Sequence, residues 1–159
     1  MVDKNQAVID YMIQCPQILN NPLFFNAINA KDNNKEIITV STEKLLQKPY
    51  IDGSVLKRYT FTIIDFRSVT YQAVVKDSEH IHENVQELLD VQGIMDWIEE
   101  QNTVRHFPNF GENCTIDEIR TLNDSPSLNG IDASVSPNLA KYSISIQIDY
   151  MDNSKKIWS

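Results

Sequence analysis

Polar and apolar residues alternate without a break from Lys141 to Tyr150. Tyr142, Ile144, Ile146, Ile148 and Tyr150 fall on one face, and Ser143, Ser145, Gln147 and Asp149 on the other. Period-two alternation predicts a strand with one buried face and one wet face. The pattern recurs from Leu56 to Phe66, where Tyr59, Phe61 and Ile63 oppose Arg58, Thr60 and Thr62. Glu36–Thr42 is rich in β-branched residues and reads as a strand, as does Cys114–Leu122. Ser68–Val75 alternates too, either as a hairpin partner of the strand before it or as its bent continuation.

Two segments carry helical spacing instead. Gln6–Gln14 repeats apolar residues at Val8, Ile9, Met12 and Ile13, with Pro16 just beyond. Glu79–Asn102 carries the longer stripe Val85, Leu88, Val91, Met95 and Ile98, with Asp77 or Ser78 placed to cap it. Gly93 lies inside that helix at a cost of up to ~1 kcal/mol relative to Ala, and a close helix–sheet contact would explain it. Thr42–Val55, with Pro49 and Asp52–Gly53, reads as a long loop, and so does Asn123–Asn138, with Pro126, Gly130 and Pro137. The apolar cluster Leu23–Phe25 is expected in the core, with an oligomer contact as the alternative. The order of elements predicts one α+β domain over residues 1–152. A mostly antiparallel sheet of four or five strands packs against one long and one shorter helix, and residues 153–159 form a polar tail.

A chain of 159 residues is long enough for one domain with a real core. The net charge of −8 repels phosphates and argues against specific nucleic-acid binding. No apolar run approaches the ~20 residues that span a bilayer, and the first residues lack the layout of a signal peptide. The expectation is a protein made in a cytoplasm, with no membrane partner. Cys15 and Cys114 are too few for a disulfide framework and read as small apolar side chains.

Candidate chemistry is sparse. His80 and His82 stand beside Glu79 and Glu83, but an alternating histidine pair holds a metal only when a third ligand converges, and none stands at a diagnostic spacing. A histidine followed by three residues and Asp-Gly is the catalytic signature of chloramphenicol-type acetyltransferases. After His106, Phe110 occupies the place of that aspartate. Phosphate loops and nucleophile elbows are missing, and acidic pairs such as Glu99–Glu100 and Asp117–Glu118 are consecutive, so they diverge. The expectation is no catalytic residue, no cofactor and no metal.

Four segments carry a likeness: Asn21–Asn34, Asp52–Phe66, Glu83–Ile98 and Leu139–Ile148. Together they resemble a family of small proteins from the tail-gene region of long-tailed phages and prophages of Gram-positive bacteria, over roughly Gln6 to Asp152. These are minor structural proteins of the tail-terminator or head–tail joining type. The resemblance implies a virion protein of the tail or neck. Such a subunit forms a ring, usually of six copies, that caps the tail tube and offers a docking surface to the head-closure or connector protein. DNA passes through the ring without specific binding. The alternative within the same setting is a head-closure, connector or minor capsid protein. On either reading the two long loops are expected to make contacts, with Tyr50 and Leu128 as anchors beside Asp52 and Gly53. Trp158 near the C-terminus is a further contact candidate.

Overall fold

A computed structural model describes residues 3–40, 48–76 and 79–157. The architecture is α+β, and among the described residues it has two helices and a seven-stranded, mostly antiparallel sheet. The elements are α1 (Lys4–Met12), β1 (Leu23–Phe25), β2 (Lys35–Thr39), β3 (Lys48–Pro49), β4 (Val55–Val69), α2 (Glu83–Val104), β5 (Cys114–Thr121), β6 (Ser127–Asp132) and β7 (Asn138–Asp152).

The spine of the sheet is the antiparallel pair β4 and β7, 15 residues each and in register from Val55↔Asp152 to Val69↔Asn138. Short strands flank it. β2 and β3 lie along β4, and β5 and β6 lie along β7, so five strands form the continuous path and two sit beside it. Only the outermost pair, β1 with β2, is parallel.

The alternation of β4 and β7 sends Phe61, Ile63, Ile144, Ile146 and Ile148 to the helical side, where all are buried. Val8, Tyr11 and Met12 of α1 and Val91, Ile94, Met95 and Ile98 of α2 close over them. Tyr11 joins the two helices, with its ring 5.1 Å from that of Trp97. Leu23 and Phe25 pack against the edge of this core from β1, as expected of them. The α2 stripe differs from the sequence reading. Ile94 is buried, whereas Val85 is exposed, because the first turns of α2 extend past the apolar part of the sheet. Gly93 meets Gln17 rather than the sheet. A Cβ there would lie 2.3 Å from the Gln17 amide nitrogen, so the close approach belongs to the connector after α1.

Where β4 continues past Ile63 on the helical side, the next residues are Asp65 and Arg67, and both are buried. Arg67 binds Asp65 through two parallel hydrogen bonds, Nε to Oδ1 at 2.9 Å and Nη2 to Oδ2 at 3.0 Å. From β2, the fully buried Lys35 places Nζ 3.4 Å from Asp65 and 2.8 Å from the Asn33 carbonyl oxygen. Burial lowers the Lys35 pKa, against the pull of Asp65. Arg67 also reaches Asp90 and Glu87 of α2, pinning the first half of the helix to the sheet.

The opposite face of the spine is polar over its first half, where Arg58 pairs with Asp149 at 2.8 Å and Thr62 lies beside Ser145. Glu36, opposite Ile64 on this face, is 1% exposed, and its Oε2 has no hydrogen-bond partner among the described residues. Burial raises its carboxyl pKa, and the charge of Lys141 only partly opposes this. The native pKa therefore lies above the unfolded one. The side chain is tolerated when protonated, below the ordinary carboxyl range, and costs stability as pH rises through the native pKa. Glu36→Gln is expected to match the parent protein in acid and to be more stable near neutrality by about 1 kcal/mol. Urea unfolding at the two pH values measures this, and an equal effect at both would contradict it.

Candidate functional site

The expected interface residues fall at two places. Tyr50, Asp52 and Gly53 share one turn. It is not a free loop, because Lys48↔Leu56 and Pro49↔Val55 pair as a hairpin. The sequence reading of Thr42–Val55 as one loop is thus corrected over its second half, and residues 42–47 lie outside the described residues. The Tyr50 carbonyl accepts from the Gly53 N–H at 3.1 Å, and the Tyr50 N–H donates to the Ser54 carbonyl at 2.9 Å. Asp52 Oδ1 accepts from both the Ser54 N–H and its hydroxyl, which lowers its pKa. Gly53 has φ +90°, and a Cβ there would come within 2.1 Å of the Lys155 carbonyl oxygen. Asp52 and Gly53 therefore shape the turn and seat the C-terminal segment on it. The Asp52 carbonyl also accepts from the Ile157 N–H. What the tip presents outward is Ile51, 91% exposed, and Ile157, with Tyr50 beside them. Ile51 escaped the sequence reading because a single apolar residue in a polar turn carries no periodic signal. Trp158 lies outside the described residues.

Leu128 sits elsewhere. The segment Asn123–Asn138 is not one loop, since it contains β6, and Leu128 stands on that strand opposite Tyr142. Tyr142 and Asp152 are ten residues apart on β7, about 33 Å at the rise of a strand, so Tyr50 and Leu128 cannot belong to one patch. All six residues of β6 are exposed, Leu128 and Ile131 among them.

A further surface lies near the β6 end of the spine. The alternation of Ser68–Val75 predicted a strand, and β4 takes only its first two residues. β7 begins opposite Val69, and Pro137 before it has no N–H to extend the ladder. The Asn84 carboxamide replaces the missing partner. Its oxygen accepts from the Thr70 N–H at 2.9 Å, and its nitrogen donates to the Thr70 carbonyl at 2.8 Å. His82 extends the clasp, with Nε2 2.8 Å from the Gln72 carbonyl oxygen and Nδ1 accepting from the Asn84 N–H at 3.1 Å. His82 is thus the cap of α2, which starts four residues later than expected. Asp77 and Ser78, the expected caps, lie outside the described residues. Apart from the His82 contact at Gln72, residues 71–76 run free of any strand, and Tyr71, Val74 and Val75 are 66%, 84% and 69% exposed.

Of the other two histidines, His80 is exposed just before α2, and His106 lines a cleft between α1 and the 106–109 segment. His106 shares it with Asp3, Asp10 and Gln14, but its Nδ1 is 2.9 Å from the Gln101 side-chain oxygen. Asp3 caps α1, and Asp10 accepts from Gln6 at 2.9 Å. Cys15 is buried, and desolvation pushes its thiol pKa up to about 11, so it stays protonated. Cys114 is half-buried in β5. Among the described residues, no three His, Cys, Asp or Glu side chains gather as metal ligands, and no helix is long and apolar enough to cross a membrane. No family model matches the chain, and a search of curated proteins found no match.

Proposed function

We propose that this chain is a structural subunit of a phage tail, a terminator that closes the tail tube as a ring and presents the surface on which the head docks. Its partners are further copies of itself, the tail-tube protein and the head-closure protein. On this reading the chain catalyses no reaction and works in the tail or neck of the virion. The resemblance over four segments supplies the setting. The observation that carries the reading is the placement of exposed apolar side chains at two distant places on one stiff spine. Ile51 and Ile157 stand at one end, and Tyr71, Val74 and Val75 stand near the other. A subunit that meets different neighbours at separate places needs such a layout, and different patches meeting head to tail close into a ring when the rotation allows. The acidic charge suits a channel through which DNA slides without adhering.

Deletion of the gene in the phage or prophage that carries it tests the assignment. A missing terminator leaves filled heads beside unattached tails of irregular, excess length. Tails of normal length beside leaking heads would move the protein to head closure and overturn the terminator role.

A further inference from the structure

We infer that residues 71–75 become a β-strand on assembly by pairing with the β6 edge of a second copy of this chain. The inference rests on the ring reading above and specifies one of its contacts. The segment Tyr71–Val75 has strand alternation and β-branched residues, yet it is exposed and belongs to no strand, and among the described residues only Gln72 has its backbone engaged, by Thr70 Oγ1 and His82. Unpaired, extended, apolar backbone is a template for another strand. Its own sheet cannot use it, because β7 starts at Asn138 and the Asn84 clasp ends the ladder at Thr70.

The acceptor is found by comparing the free edges. β5 is closed to a newcomer, since its Ile119 N–H donates to Asn102 Oδ1 at 3.0 Å and its Asp117 carbonyl accepts from Arg105 at 3.2 Å. β1 offers three residues. β6 offers six, all exposed, with backbone hydrogen bonds only to β7 among the described residues. β6 also exposes two apolar side chains, Leu128 and Ile131, to a strand added there. Charge selects the arrangement. Residues 71–75 and 127–131 are uncharged runs, and each ends in one charge, Lys76 on the first and Asp132 on the second. Parallel pairing brings the opposite charges side by side and sets Val75 next to Ile131. Donor and acceptor are different patches, so the contact is heterologous and propagates from copy to copy, as a ring requires.

The test uses the full-length protein, with mass read by sedimentation and amide exchange followed at residues 71–75. In assembled protein these amides are expected to exchange more than about tenfold slower than in the dilute monomer. Lys76→Glu and Asp132→Lys should each move self-association to higher concentration, and the two together should recover most of the loss. Val74→Pro removes an N–H from the segment and should block assembly while leaving the melting temperature unchanged, because residue 74 is exposed. Assembled wild-type protein whose 71–75 amides still exchange freely would overturn the strand pairing and leave the ring reading intact. Protection that appears only after purified tail tubes are added would assign the segment to the tube and overturn pairing between copies. A chain that stays monomeric with and without tubes would overturn both.

Discussion

Asp65→Asn is expected to destabilise the protein by about 3–5 kcal/mol, because it leaves two buried cations without their shared counter-ion. Asp65 holds Lys35 at 3.4 Å and Arg67 through two parallel bonds, and all three side chains are at most 4% exposed. The remaining carboxylates, Glu87 and Asp90, are 35% and 54% exposed and, among the described residues, form ion pairs only with Arg67. At roughly 2–4 °C per kcal/mol for a chain of this size, the melting temperature should fall by roughly 6–20 °C. Replacing Lys35, Asp65 and Arg67 together by apolar residues of similar volume should be far less harmful, since no charge is then left buried alone. A triple variant as unstable as Asp65→Asn would show that the cluster contributes more than mutual neutralisation. The same loss has a local consequence. Arg67 ties the first half of α2 to the sheet, and that half carries the Asn84 and His82 clasp, so amide exchange near residues 70–72 should quicken in Asp65→Asn before global unfolding.

Phe61→Ala is expected to cost about 3–5 kcal/mol by a different route, the loss of buried apolar contact plus the cavity left behind. Phe61 is fully buried at the middle of β4, between Thr39 on β2 and Ile146 on β7. Its surroundings cannot collapse to fill the space, because strands hold it on both sides and the helices cover it above. Phe24→Ala on the half-buried edge strand β1 should cost clearly less, because its site already opens to solvent. Urea midpoints of the two variants give the comparison. Equal losses would contradict the placement of the core.

Much of the fold was open to reading without coordinates. Alternation is a local property, set by the backbone geometry of a single strand, so β7 and β4 announced themselves through Tyr142–Tyr150 and Tyr59–Ile63. The amphipathic spacing of α2 and the turn chemistry of Asp52–Gly53 are local in the same sense. The family resemblance came from segments that build the fold, and it supplied a setting for the protein rather than a site.

Other features are properties of pairs of segments far apart in the chain, and only the tertiary structure decided them. The 127–132 stretch has no alternation strong enough to declare a strand. It is one because β7 offers an edge, and β3 pairs with β4 for the same reason. Residues 71–75 carry strand alternation broken at Val74, but among the described residues no strand pairs with them, since β7 begins too late to meet them. Val85 and Ile94 exchanged roles because burial depends on how far the sheet extends beneath α2. The charged cluster had a trace in the sequence: Asp65 and Arg67 continue the face of Tyr59, Phe61 and Ile63 at the same period of two. That trace said only that two charges lie on a buried face. Lys35, thirty residues earlier, and Glu87 and Asp90, on a helix, became their partners through strand pairing and helix packing, because neutralising a buried charge requires proximity in space and not in sequence.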